Sequence, residues 1–136
     1  MKIALPQRSP RTQRKATDPL TASIIACAIE VHRILGPGLL ESIYEEALSH
    51  ELRIRAIPFE RQKEVDVYYK DKVIKGQRLD LIVDGQVVIE IKAVKALNDI
   101  FSSQVLSYLK STGLRRALLI NFNAPTLISG LKRFSL

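Results

Sequence analysis

The sequence predicts an α/β domain whose elements run helix, helix, strands, helix, strand, and three observations predict it. Apolar residues recur at helical spacing through residues 19–54, interrupted once by Gly36-Pro37-Gly38. Residues 59–94 then change to the β-branched, alternating composition of strands. A second helical stripe over residues 99–111 leads into the apolar run Ala117-Leu118-Leu119-Ile120.

Each element has a local reason. Asp18 before Pro19 is a helix cap followed by a proline at the first helical position, and Ile24, Ile25, Ala28, Ile29 and Leu35 carry the helix over residues 19–35. Cys27 lies in this apolar run and reads as packing. A second helix is expected over residues 39–54, with Leu40, Ile43, Ala47, Leu48 and Leu52 on its apolar side. His32 is expected to make a local hydrogen bond or face solvent, and His50 to lie on the polar side. Residues 59–69 form a strand with one wet face, Val65, Val67 and Tyr69 opposing Glu64, Asp66 and Tyr68. Lys70-Asp71-Lys72 turns it into Val73-Ile74 and a hairpin over residues 76–92, so three or four antiparallel strands come in succession. Asn98 or Asp99 caps the next helix, Phe101, Val105, Leu106 and Leu109 form its buried stripe, and Gly113 closes it. Residues 115–122 read as a buried strand and residues 126–134 as a short amphipathic end.

The chemistry concentrates in the hairpin, where Asp80, Glu90 and Lys92 interrupt two apolar strands around the turn signal Asp84-Gly85. Side chains alternate across a strand, so Glu90 and Lys92 share one face while Ile89, Ile91 and Ala93 take the other. The face of Asp80 depends on the turn. A two-residue turn would pair Asp80 with Ile89 and separate the acids; a three-residue loop Val83-Asp84-Gly85, pairing Ile82 with Gln86 and holding Gly85 left-handed, returns Asp80 to the Glu90 face. The odd loop is the one expected here. Two carboxylates converging beside a lysine suit a hard divalent cation such as Mg²⁺. The same triplet is also compatible with a salt-bridged surface hairpin. Arg78 alternates onto the Asp80 face, where its guanidinium could hold a phosphate or pair with an acid.

Composition bounds the possibilities. The chain has 136 residues, 46% hydrophobic and 26% charged, which suits one soluble domain and excludes a catalytic domain joined to a separate recognition domain. No apolar run approaches the ~20 residues of a membrane span, and the start, basic and broken at Pro6, is unlike a secretory signal, so a cytoplasmic protein is expected. A single cysteine excludes an intramolecular disulfide and any zinc site with two thiolates. The net charge of +7 favours a polyanionic partner. Lys2, Arg8, Arg11, Arg14 and Lys15 precede any acid, and residues 1–16 read as a flexible basic arm ahead of a single domain over residues 17–136. No internal repeat, glycine-rich phosphate loop or serine-histidine-aspartate arrangement is visible.

The pattern Asp80, nine residues, Glu90-x-Lys92 resembles the PD-(D/E)XK nuclease superfamily. Gly38-Leu-Leu-Glu41-Ser-Ile-Tyr44 has the G-x-x-E-x-x-Y form of a family of small proteins placed in it, and Gly76-x-Arg78-x-Asp80 again matches that family. Gln104-x-x-x-Tyr108 after E-x-K resembles the RecB-like branch, with Phe101 as a departure where relatives are expected to carry a polar residue. The resemblance covers residues 17–123 and implies an α-β-β-β-α-β core, a central mixed sheet flanked by helices, with one extra N-terminal helix. It also implies a nuclease acting on DNA with Mg²⁺ or Mn²⁺. Asp80, Glu90 and Glu41 would serve the metal and Lys92 would assist the attacking water. Gln104, Tyr108, Arg78 and Tyr44 would lie at the substrate. Two rival readings are a nucleic-acid- or partner-binding module without turnover and a Holliday-junction-resolvase-like homodimer.

Overall fold

The computed structural model describes residues 18–136, and the basic arm expected over residues 1–16 lies outside the described residues. Helix α1 spans Pro19–Leu35 and is capped as its sequence predicts: the Asp18 carboxylate accepts from Thr21 N at 2.9 Å and from Thr21 Oγ1 at 2.8 Å. Helix α2 spans Glu41–Ile54, starting two residues later than expected because Leu40 is extended and acts as its cap. His32 departs from both expectations: its Nε2 lies 2.8 Å from Ala124 O, a long-range bond that ties α1 to the far end of the chain.

Five strands follow: β1 (Phe59–Tyr69), β2 (Lys72–Val83), β3 (Val87–Lys92), β4 (Arg116–Asn121) and β5 (Leu131–Ser135), with α3 (Asp99–Thr112) between β3 and β4. They form one mixed sheet in the order β1-β2-β3-β4-β5, in which only β3 and β4 are parallel. A parallel neighbour needs a crossover, and α3 supplies it. Asn98 caps α3 by accepting from Ile100 N at 3.0 Å, and Gly113 ends it in the left-handed conformation at φ 75°. β5 corrects the expectation of a short amphipathic end: after a 3₁₀ turn (Ile128–Gly130), residues 131–135 pair antiparallel with β4. Gly76, expected to open a hairpin, is carried inside a continuous β2 at φ 110°.

Successive residues of β3 and β4 feed two cores. Val87, Ile89, Ile91, Leu118 and Ile120 pack against Ile24, Ala28, Leu48 and Leu52 of α1 and α2. Val88, Ala117 and Leu119 pack against Val105, Tyr108 and Leu109 of α3. Burial of each such aliphatic side chain contributes about 1.5–3 kcal/mol, so the sheet is clamped from both faces. β3 is buried from Val87 to Ile91, and an acid in it is placed among apolar walls.

The β2–β3 loop is odd, as expected, and lies one residue later than expected. Val83 pairs with Val87 and Ile82 with Val88, not with Gln86, leaving Asp84-Gly85-Gln86 as the loop. Asp84 and Gly85 take φ 52° and 65°. Aspartate tolerates that region, so buried Val83 stays in the ladder rather than in the turn. Continuing this register sets Asp80 opposite Glu90.

Gly130 answers to a close approach rather than a turn. A Cβ built there would stand 2.3 Å from Asn121 O and 2.7 Å from the Ala124 Cβ. Gly130→Ala is therefore expected to lose about 1–3 kcal/mol in urea unfolding; an unchanged midpoint would contradict this packing.

Candidate active site

The site is a fork between two strands. β2 and β3 pair only from Leu81–Ile89 to Val83–Val87, although β2 continues back to Lys72 and β3 on to Lys92. Carboxylates take over where the ladder stops. Asp80 Oδ2 accepts from Ile91 N at 2.8 Å, Asp80 N donates to Glu90 Oε1 at 3.3 Å, and Glu41 Oε2 accepts from Ala93 N at 3.2 Å. Three acids distant in sequence thus line one opened edge, at the carboxyl end of a parallel strand pair, where open α/β sheets form their clefts.

The fork has a cause in β1. The β1–β2 ladder runs through Arg61–Leu81 and resumes at Lys63–Leu79, skipping the pair Gln62/Asp80, and Gln62 has φ 50°. Phe59 and Leu81 pack on the α1/α2 side, yet Val65 and Leu79 pack on the α3 side. Even spacing in a regular strand would keep them on one face, so both strands roll over at this one pair. Asp80 sits on the roll, with its carboxylate at the β3 backbone.

Glu90 is 4% exposed, and Asp80 is half-buried beside it. Burial first, then the charge of Asp80, pushes the Glu90 carboxyl up to about 8, against the opposing pull of Lys92. Burial also raises Asp80, with the Glu45 charge adding to it and the bond from Ile91 N opposing it. Both shifts favour the protonated forms, so the pair resists carrying two negative charges without a cation beside it. A pair of converging oxygen donors short of positive charge is the donor chemistry a hard divalent cation satisfies, so the residues fit such an ion.

Lys92 Nζ lies 3.9 Å from Glu90 Oε2, on the expected face, and 4.7 Å from the centroid of the Phe101 ring. The aromatic departure at position 101 thereby gains a physical reading: the ring faces the ammonium and holds it over the fork. Arg78 is exposed, with Nη1 3.4 Å from Gln62 O. Gln104 stands on α3 against the Tyr108 hydroxyl.

The two tyrosines, expected at the substrate, both have their hydroxyls on backbone groups. Tyr108 is 2% exposed, donates to Arg78 O at 2.9 Å, and is pushed up to about 12 by burial and then by the charges of Glu90 and Asp80. It fastens the rolled part of β2 to α3. Tyr44 is fully buried, stacks on Phe122 at 4.7 Å, donates to Gly36 O at 2.6 Å and accepts from Leu39 N at 3.1 Å. It closes the loop before α2 and so sets where Glu41 begins the helix. Glu41 itself is exposed and meets the fork through Ala93 N. Among the described residues no three His, Cys, Asp or Glu side chains converge as a metal-binding group; Asp80 and Glu90 are in direct contact, and Glu41 reaches the same edge through Ala93 N.

The sequence reading missed three residues that complete the fork. Glu45 is buried on α2, bonded by Arg61 Nε at 3.0 Å and Gln62 Nε2 at 2.8 Å. Gln62 Nε2 also lies 3.4 Å from Asp80 Oδ1. Asn121, 4% exposed at the end of β4, accepts from Val94 N at 3.1 Å and donates to Val94 O at 2.9 Å, fixing the chain just past Lys92. A polar side chain ending the run Ala117-Leu-Leu-Ile was the available signal for Asn121, and the family-like run Glu45-Glu46-Ala47-Leu48 was the signal for Glu45; Gln62 sits among other polar residues and carried none.

No helix among the described residues is long and apolar enough to cross a membrane. No curated protein and no solved structure matches the chain. A family model described as the PD-(D/E)XK nuclease superfamily matches residues 18–134, which takes in both cores, the fork and every element of the sheet. The chain belongs to the PD-(D/E)XK nuclease superfamily.

Proposed function

We propose that this protein is a divalent-metal-dependent nuclease that hydrolyses DNA phosphodiester bonds, with Asp80 and Glu90 as the metal ligands and Lys92 as the catalytic cation. The observation that supports it most is the pairing of two desolvated carboxyls at the β2–β3 fork, with an ammonium 3.9 Å from Glu90. Superfamily membership makes nucleic acid the natural substrate and a divalent ion the natural cofactor, Mg²⁺ or Mn²⁺ for this oxygen-rich site. The finer placement, in the G-x-x-E-x-x-Y group and near the RecB-like branch, rests on Gly38, Glu41 and Tyr44 and on Gln104 and Tyr108.

When bound, such a cation supplies Lewis-acid polarisation of a phosphate and a lowered pKa for water. The protein's own groups do the rest. Asp80 is fixed through Oδ2 by Ile91 N, and its Oδ1 lies 3.4 Å from Gln62 Nε2. Glu90, buried beside Asp80, would offer its carboxylate to a cation rather than to water. Lys92, held over Phe101, is within reach of the fork to orient the attacking water and to offset charge that grows on the phosphate. Arg78, exposed at the rim, adds a bidentate donor for a neighbouring phosphate. Glu41, whose carboxylate accepts from Ala93 N, would add to the cation site as an extra ligand or through water.

The test is a gel assay of purified protein on linear, circular and branched DNA with Mg²⁺, Mn²⁺ or EDTA. The proposal expects products only with the divalent ion, and a preference for branched DNA would add the resolvase-like, paired mode of action. Binding of DNA with no divalent-dependent cleavage of any substrate would replace it with a non-catalytic binding module. The basic arm enters through affinity: each phosphate neutralised contributes about one unit to the slope of log affinity against log salt. Deleting residues 1–15 is expected to flatten that slope and to leave cleavage at low salt intact; an unchanged slope would remove the arm from the DNA contact.

A further inference from the structure

Resting on the nuclease reading, we propose that Gln62 is a positioning residue that aims the Asp80 carboxylate, using the buried Glu45 as its anchor. The Gln62 Nε2 atom stands 2.8 Å from Glu45 Oε1 and 3.4 Å from Asp80 Oδ1. An amide nitrogen carries two hydrogens, so one can be given to each carboxylate. The far end of this strut is fixed: Glu45 is 7% exposed and is gripped from its other oxygen by Arg61 Nε at 3.0 Å. At the near end the second Asp80 oxygen accepts from Ile91 N at 2.8 Å. With an oxygen contacted from each side, the carboxylate is restrained from turning about its last bond. Each oxygen still has a lone pair free for a cation.

The backbone shows that this placement is built. Gln62 occupies the left-handed region at φ 50°, a conformation that side chains other than glycine, asparagine and aspartate rarely adopt. It does so at the skipped pair of the β1–β2 ladder, opposite Asp80. A regular strand would turn the Gln62 side chain to one sheet face; the left-handed residue instead sends it along the roll to both acids. The neutral amide also separates two carboxylates that would otherwise face each other with no donor between them. Replacing it by a shape-matched acid would bring a third negative charge to the same spot.

Partners that orient a metal ligand change metal affinity about 10- to 100-fold when removed. The experiment titrates MnCl₂ calorimetrically into wild type, Gln62→Gly and Gln62→Asn, and melts all three in EDTA. Glycine relieves the left-handed strain and removes the amide, so Gln62→Gly is expected to melt no lower than wild type yet bind Mn²⁺ about 10-fold more weakly or worse. Asparagine tolerates the left-handed backbone and keeps the amide, so Gln62→Asn should lie between the two. Wild-type Mn²⁺ affinity in Gln62→Gly would overturn the strut and leave the nuclease reading standing. Absence of Mn²⁺ binding by wild type would overturn both. If Gln62→Gly lowers melting temperature and affinity together, Gln62→Asn decides: regained affinity supports the strut and none overturns it.

Discussion

Glu90→Gln is expected to abolish divalent-dependent cleavage while making the protein more stable. The amide keeps the shape of the carboxyl but removes the charge that Asp80 alone cannot supply, so Mn²⁺ affinity should fall and excess Mn²⁺ should restore at most a small part of the activity. The stability gain follows from the direction of the Glu90 shift. A carboxyl raised from 4.5 to about 8 binds its proton more tightly in the folded protein than in the unfolded chain. Its contribution is therefore most favourable below about pH 4.5 and is lost progressively as pH rises toward 8. A neutral amide has no such loss. In EDTA, Glu90→Gln should exceed wild type by on the order of 2–4 kcal/mol at pH 8, with the difference closing toward pH 4.5. Added Mn²⁺ should raise the stability of wild type by mass action and leave the variant unmoved. Urea unfolding at the two pH values reads this directly, and a variant less stable at pH 8 would contradict the burial argument.

Lys92→Ala is expected to fail in a different way. Its ammonium faces Glu90 and the Phe101 ring and is assigned to the reacting water and phosphate, not to the ion. Cleavage should slow by about 10²-fold or more, the scale of one positioned catalytic group, and extra metal should not restore it. Mn²⁺ binding by calorimetry should stay near that of wild type. Equal loss of Mn²⁺ affinity in both variants would merge the two roles and overturn the assignment of Lys92.

What could be read from the sequence follows a physical division. The starts of α1 and α3 were legible because a cap works within a few residues: Asp18 bonds Thr21 and Asn98 bonds Ile100, both local. Asp80, Glu90 and Lys92 were legible because charge inside apolar strands is conspicuous. β5 was not, since Leu131 and Phe134, its half-buried apolar pair, lie three apart and break the period of two that marks a strand. The roll at Gln62 and Asp80 was not legible either. It belongs to the pairing of two strands, and nothing local requires a left-handed glutamine. The tyrosines show the same limit from the other side. Tyr44 and Tyr108 stand at family-like spacing, but whether a hydroxyl meets a backbone carbonyl is decided by how the chain folds past it, here Gly36 in the loop before α2 and Arg78 on the distant β2.

The central claim, that the Asp80–Glu90 fork makes this chain a metal-dependent nuclease, is tested most directly by incubating linear duplex DNA with wild type and Glu90→Gln prepared side by side, in Mn²⁺ and in EDTA. Products from wild type in Mn²⁺ alone, with none from the variant in either condition, are the predicted result; equal cleavage by the two proteins, or DNA binding by wild type with no cleavage in Mn²⁺, would contradict it.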